Sequence, residues 1–378
     1  MMKNASRPYR ILCIVDHLKG GGAEKILLDT AIHLTKQGHQ VTIVPLNPND
    51  IKIDIPDALT LICPDFDASL YTGKLLRKRT LPDADVEKIK TIIAAQKPDL
   101  ILLSHAFAFC LSHVIHGNVW LWIHGEIFKP YRQPTANLFR WYKEYRRYYL
   151  EKKYFIRLFD GKKIITVNQD LEKDYQRLLP NAQLTTIYNG IDITQIDQHK
   201  LATPQKHWDC VFVGRLSHEK QPDHAIRAFA QSKTAKNMLI IGDGELKTDL
   251  QALCKQLEIE DRVEFLGWVN HPYAYIQQSR LLISSSQSEG YGLVISEALY
   301  LDVPVVAYYV SDAIDHQLSI ANLKDNLVQP QNIDALAEKI DQNLAQYPAL
   351  NFDKTLLSNE NMVGKFLSLI QDDHCSHV

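Results

Sequence analysis

Along this chain, short unbroken runs of Val, Ile and Leu alternate with longer stretches in which apolar residues recur at helical spacing. Unbroken runs fit strands buried on both faces, and the stretches between them fit crossover helices, so the pattern predicts an α/β protein built on parallel sheets. The first series of predicted strands covers 11–15, 41–46, 61–63, 100–103, 119–123, 164–167 and 185–188. A second series covers 210–214, 238–241, 263–266, 281–284 and 303–307. Between the series, 189–207 holds Gly190, Pro204 and many polar residues, the composition of a linker. The boundary is placed near residue 195, giving a first domain over 1–195 and a second over 196–350. The remainder, 351–378, carries a predicted helix over 356–370 that can pack on either domain, including back on the first.

Composition agrees with two ordinary domains: 378 residues, 46% apolar and 23% charged. With 42 basic against 44 acidic side chains, the chain lacks the global field of a nucleic-acid binder, and no nucleic-acid partner is expected. The cysteines at 13, 63, 110, 210, 254 and 375 form no C-x-x-C pair, which favours reduced thiols over a zinc or redox site. Lys3, Arg7 and Arg10 precede an apolar run of five residues, 11–15, that ends at Asp16 and His17 and is too short for a secretory signal. The stretch 100–115 is interrupted by Ser104, His105, Ser112 and His113, and falls short of the roughly 20 residues that span a bilayer. A cytoplasmic protein without membrane-spanning helices is expected.

Three segments carry candidate chemistry. Gly20-Gly21-Gly22-Ala23-Glu24 follows the first strand and precedes a helix with apolar Ile26, Leu27, Ala31 and Leu34. Glycines let a backbone approach an anion, and the free amides of a helix start carry partial positive charge. The turn can therefore bind phosphate, or be only a tight connection, since it lacks the spaced G-x-G-x-x-G pattern. Next, 212–220 ends a strand and delivers Arg215 and Lys220 into the loop at its carboxyl end, where open α/β sheets bind ligands. Arg215 can fork onto phosphate oxygens and Lys220 can add a point charge; alone, the pair would also fit a solvated loop. The third segment, 284–299, runs from a strand end through Glu289-Gly290-Tyr291-Gly292 into a helix that carries Glu297. A helix starting near Gly292 puts Glu297 about 7 Å along its axis, while Glu289 stays in the loop. The carboxylates can then serve two ends of one ligand, with the free amides of Gly292, Leu293 and Val294 between them.

In this combination the chain resembles the retaining GT-B glycosyltransferases of family 4. The resemblance rests on Gly21-Gly22-Ala23-Glu24, Ile123-His124-Gly125, 187–192, Val213-Gly214-Arg215-Leu216 with Glu219-Lys220, 241–246, 262–268 and the two-glutamate segment, over nearly the whole sequence. It implies two Rossmann-like parallel-sheet domains facing across a cleft, the first binding the acceptor and the second a nucleotide-sugar donor. It implies that Arg215 and Lys220 hold the donor diphosphate, that Glu297 binds the ribose diol, and that Glu289 lies beside the transferred sugar. Gly21 and Gly22 join the donor-binding set, Gly22 letting its loop approach the phosphates. His124 would hydrogen-bond the sugar near its anomeric centre, and the backbone at Trp268 and Val269 would face the base. Two positions depart from the family: Lys25 stands where Arg is usual, and 311–326 lacks the glycine-rich elements usual after Pro304-Val305-Val306.

The activity implied is a hexosyltransferase-type transfer from a nucleotide diphosphate sugar, UDP favoured, to a saccharide or lipid-linked acceptor, with retention at the anomeric centre. Arg215, Lys220 and the helix amides would meet the charge that grows on the leaving diphosphate. No D-x-D is followed by a suitable second carboxylate ligand, so a metal-independent reaction without cofactor is expected. A nucleotide-sugar epimerase and a non-catalytic nucleotide-sugar-binding subunit are the alternatives. The two-glutamate segment and an aromatic basic helix weigh against the first, and the presence of Arg215, Lys220 and Glu289 against the second.

That helix lies within 131–163, where Tyr131, Phe139, Trp141, Tyr142, Tyr145, Tyr148, Tyr149, Tyr154, Phe155 and Phe159 are interleaved with ten Lys and Arg residues and only Glu144, Glu151 and Asp160. It can lie on an anionic membrane surface, or pack against its domain with a solvated basic face. The membrane reading makes the protein peripheral on the inner face of the cytoplasmic membrane. The acceptor is then a glycan or glycolipid of surface-polysaccharide or lipopolysaccharide assembly.

Overall fold

Apolar runs buried on both faces build two parallel sheets. The computed structural model describes residues 7–66, 81–128 and 138–375, with side chains except at 138–141 and 372–375. Lys3, Tyr131 and the side chains of Phe139, Arg140, Trp141 and Cys375 lie outside the described residues. The chain divides into one unit of Met1–Tyr188 with Met362–Val378, and another of Asn189–Asn361.

In the first unit the strands are β1 (Arg10–Val15), β2 (Gln40–Pro45), β3 (Thr60–Leu61), β4 (Leu100–Ser104), β5 (Val119–Ile123), β6 (Lys163–Thr166) and β7 (Gln183–Thr186). They lie in the order β3-β2-β1-β4-β5-β6-β7, every pair parallel. Helices α1 (Gly22–Lys36), α2 (Asp83–Gln96), α3 (Leu138–Phe159) and α4 (Gln169–Leu178) supply crossovers. α4 starts where the Asn168 side chain accepts the Leu171 amide at 2.7 Å, a cap that satisfies one orphan donor. From β1 the chain builds one way to β2 and β3, then returns to build the other way from β4. The loops after β1 and β4 therefore part at a topological switch point, where such sheets bind ligands.

α3 packs by one face. Phe155 and Phe159 are fully buried, with Phe155 edge-on to Tyr175 at 4.8 Å and Phe159 edge-on to Phe109 at 5.4 Å. Tyr142, Tyr145 and Tyr149 are exposed.

The second unit has β8 (Trp208–Val213), β9 (Met238–Ile241), β10 (Val263–Gly267), β11 (Ser279–Ser284), β12 (Val305–Tyr308) and β13 (Leu327–Val328), in the parallel order β10-β9-β8-β11-β12-β13. Its helices are α5 (Ile193–His199), α6 (Pro222–Gln231), α7 (Lys247–Gln256), α8 (Tyr273–Gln277), α9 (Leu293–Tyr300), α10 (Asp312–Ile320) and α11 (Ile333–Ala345). Its switch point lies between β8 and β11. A last helix, α12 (Asn359–Cys375), belongs to the first unit from Met362 on. There Phe366 packs edge-on to Trp122 at 4.8 Å, and the Asn118 side chain donates to the Leu369 carbonyl at 3.0 Å.

Several predicted elements differ in detail. The division at Tyr188 precedes the expected boundary at 195, and 189–207 is not an open linker. It contains α5, whose start is capped by Asp192 accepting the amides of Thr194 and Gln195, and Ile191 bridges to Ser358. The strand expected at 185–188 is β7, two residues earlier, and the helix expected over 356–370 is split into a 3-10 turn, Lys354–Leu357, and α12. Cys13, Cys210 and Cys254 are buried and Cys63 is exposed, all as free thiols. Among the described residues no helix is long and apolar enough to cross a membrane.

Candidate active site

In the second unit the loops after β8, β9 and β10 are laced together at the carboxyl end of the sheet. The Gly214 amide donates to Ile241 O at 3.0 Å, Leu216 N to Asp243 O at 2.9 Å, and Gly242 N to Gly267 O at 2.8 Å. This closeness dictates glycine. Gly242 has φ +139°, and a Cβ there would fall 1.9 Å from the Gly214 carbonyl oxygen; at Gly244 it would fall 2.4 Å from that of Leu216. The β8 loop therefore leaves the sheet in one direction. Arg215 on it is exposed, with no partner for its guanidinium among the described residues.

The β11 loop is tied to the β8 loop across the switch point. Ser285 Oγ donates to Gln221 O at 2.7 Å and Gln287 N to Glu219 O at 2.7 Å. Lys220 Nζ forms an ion pair with Glu289 Oε1, which also accepts the Ser286 hydroxyl at 2.8 Å. The two residues, expected to serve separate ends of a donor, neutralise each other.

Gly292, at φ +81°, is the N-cap of α9. A glycine is needed to turn a left-handed backbone into the helix, whose first amides then lack intrahelical partners. Half-buried Leu293 and Val294 form that first turn, and Glu297 follows at 9% exposure. Behind the turn, Gln317 of α10 donates to Tyr291 O at 2.5 Å and accepts the Ser296 hydroxyl at 2.7 Å, itself 3.2 Å from Tyr291 OH. Burial pushes the Tyr291 phenol up to about 12. No local motif announces this clamp, because Gln317 lies in 311–326, more than 20 residues from the Tyr291 and Ser296 it joins. Trp268, 75% exposed, leaves β10 just after Gly267, and Val269 is partly buried against the core beneath α8 and α9.

In the first unit Gly21 is the N-cap of α1. A Cβ on Gly21 would lie 2.4 Å from Glu24 Oε2, whereas one on Gly22 would meet nothing within 4 Å. A side chain at 21 would thus displace the Glu24 carboxylate, while 22 is open. His124 follows β5 with its ring 4.4 Å from that of Trp122 and its Nε2 hydrogen-bonded to Ser104 Oγ at 3.1 Å. Burial, helped by the nearby His105, pushes its pKa down to about 3, so the ring is a neutral hydrogen-bonding group near pH 7. Arg215, Lys220, Glu289, Gly292 and Glu297 thus share one end of one sheet, while Gly21, Gly22 and His124 belong to the other unit. Among the described residues no three or more His, Cys, Asp or Glu side chains are grouped to hold a metal ion.

The family model described as Glycosyltransferase Family 4 matches residues 20–195, and that described as Glycosyl transferases group 1 matches residues 194–354. The chain is 37% identical over 121 residues, 32% of its length, to N-acetylgalactosamine-N,N'-diacetylbacillosaminyl-diphospho-undecaprenol 4-alpha-N-acetylgalactosaminyltransferase of Campylobacter jejuni. It spans 33% to 58% of the lengths of the first curated relatives it matches. Among solved structures, sucrose-phosphate synthase of Thermosynechococcus elongatus superposes with a TM-score of 0.69 at 18% identity, over 97% of this chain and 100% of that one. HepE of Anabaena, solved with UDP and with UDP-glucose, superposes at 0.65 and 0.62, again at 18% identity, over 98% of this chain and 100% of that one. At such identities these structures establish the GT-B-like fold.

Proposed function

The chain belongs to the glycosyltransferases of family 4, group 1, and from that premise we propose that it moves a sugar from a UDP-sugar to a saccharide or lipid-linked acceptor, retaining the anomeric configuration without a metal. One observation carries this reading: Arg215, whose guanidinium has no partner among the described residues, the Lys220–Glu289 pair and the start of α9 lie on the loops at the β8/β11 switch point. Arg215, Lys220 and the amides of Leu293 and Val294 take the diphosphate and stabilise the charge that develops as the anomeric C–O bond breaks. Glu297 receives the ribose hydroxyls. Released from Lys220, Glu289 positions the sugar, and the leaving phosphate takes the acceptor proton. His124 supplies a neutral hydrogen bond to the sugar, Gly21 and Gly22 bring their loop to the phosphates, and the backbone at Trp268 and Val269 faces the uracil.

Two observations support a lipid-linked acceptor of surface-glycan assembly. The Campylobacter relative is named for an undecaprenol-diphosphate acceptor. On α3, the exposed Tyr142, Tyr149, Arg146 and Lys153 share the face opposite the buried Phe155 and Phe159, as on a helix lying at an anionic lipid interface. Flotation with anionic liposomes should fall when Arg146, Arg147, Lys152 and Lys153 become Ser; unchanged flotation refutes this part.

The donor site is tested by thermal stabilisation with a panel of nucleotide sugars. A ligand at 100 times its Kd adds about 2.7 kcal/mol, and Arg215→Ala should abolish the gain. Stabilisation that survives Arg215→Ala refutes the site. Activity should also persist in excess chelator; loss restored by manganese refutes metal independence.

A further inference from the structure

Next to His124, a cluster of titratable side chains closes the carboxyl ends of β1 and β4. Glu24, 5% exposed, folds back over the start of α1 against Gly21. Its Oε1 lies 3.1 Å from His17 Nδ1 and 3.9 Å from His105 Nε2, so one carboxylate faces imidazoles from two loops. The His105 ring stands 5.5 Å from that of His17 and 6.0 Å from that of His124. Ser104 Oγ, bonded to His124 Nε2, is also 3.4 Å from His105 Nδ1. His105 has φ +73°, a left-handed backbone that side chains other than glycine rarely adopt. It is held there by Asp16, whose buried carboxylate accepts the amides of Phe107 at 2.9 Å and Ala108 at 2.8 Å. A capping glutamate three residues into a helix would account for Glu24 lying over α1. Capping accounts neither for the two imidazoles gathered on it nor for the strained residue that brings one of them.

We propose that Glu24 is a positioning residue of the sugar transfer, acting through His17 and His105 to keep the glycine turn and the His124 ring in one arrangement; the proposal rests on the transferase reading above. The groups facing His17 are Asp16 and Lys19 on its own loop, Glu24 on α1, His105 after β4, and Asp50 after β2. The Glu24 carboxylate close beside it raises the His17 pKa, while burial lowers that of His105. For Glu24, burial pushes upward, but His17, the backbone amide of Glu24 itself and His105 together outweigh it and leave the carboxyl below its usual range. With His17 protonated the carboxylate is matched by one cation. Once His17 deprotonates, an uncompensated negative charge remains beside the turn that the donor phosphates approach, and transfer slows.

The test is kcat and KM of the full chain between about pH 5 and 9, with UDP titration and thermal melts of each variant. Glu24→Gln should lower kcat about ten- to a hundredfold, the scale of a misplaced catalytic group, with UDP affinity unchanged. His17→Lys keeps a permanent cation beside an intact Glu24; it should retain the neutral-pH rate and move the basic limb of the profile upward. A His17→Lys profile that superimposes on the parent's, or a Glu24→Gln variant with parental kcat, overturns the proposal. Should the unaltered protein neither bind nor turn over any nucleotide sugar, it is the transferase reading that falls, and this one with it.

Discussion

Glu289→Gln should keep or tighten UDP binding while removing most turnover, and Lys220→Ala should weaken binding. The Lys220 ammonium is held by Glu289, so an arriving diphosphate must compete with a carboxylate that is 12% exposed. At an effective dielectric of about 20, unit charges about 4 Å apart attract by about 4 kcal/mol; desolvation and screening reduce a partly exposed pair to about 1 kcal/mol. Glutamine keeps an acceptor for Ser286 but drops the charge, freeing Lys220. UDP should then bind up to about fivefold more tightly, since 1.4 kcal/mol corresponds to tenfold. Removing Lys220 deletes a charge-assisted hydrogen bond worth about 1.5–3 kcal/mol. The pair it gives up on binding offsets about 1 kcal/mol of that, leaving Kd raised about two- to thirtyfold. Calorimetric UDP titration of both variants and of the double variant, beside kcat with a donor sugar, checks each term. Loss of turnover in Glu289→Gln should reach about a hundredfold, the scale of a lost transition-state contact. If Glu289→Gln weakens UDP binding as much as Lys220→Ala does, the exchange of partners is wrong and the carboxylate instead helps to hold the nucleotide.

Two glycines should separate packing from function. Gly242→Ala forces a Cβ to within 1.9 Å of the Gly214 oxygen at a φ that side chains avoid, and should cost more than about 3 kcal/mol; an unchanged melting temperature refutes the close approach. Gly22→Ala points into open space, so stability should hold within about 0.5 kcal/mol while donor turnover falls; parental turnover refutes a role at the phosphates. His124 should add acid sensitivity. Its folded pKa of about 3 lies below the roughly 6.5 of an unfolded chain, so its contribution is complete above the unfolded value and is lost as pH falls toward the folded one. Urea midpoints should drop between about pH 7.5 and 5 more for the parent than for His124→Gln, and equal drops refute the neutral ring.

What the sequence reveals and conceals follows from whether the information is local. Strands buried on both faces need consecutive apolar residues, so the runs at 119–123 and 238–241 coincide with β5 and β9. At the sheet edge that rule weakens. β7 uses Gln183 and two threonines, while Ile187, which draws the predicted strand onward, is buried beyond its end, and the two-residue β13 is too short to announce itself. Arg215, Lys220, Glu289, Gly292 and Glu297 are legible because each sits in an unbroken segment from strand end to helix start. The pairing of Lys220 with Glu289, 69 residues apart, is not. It exists because β9 and β10 intervene between β8 and β11 in the chain but not in the sheet, so two loops far apart in sequence leave neighbouring strand ends. The same topology brings His105 to Glu24, since β2 and β3 intervene between β1 and β4 only along the chain. In each unit, then, the charges that meet are those on the loops that the reversal of strand order makes adjacent, and single segments show which groups are present but not which of them are partners.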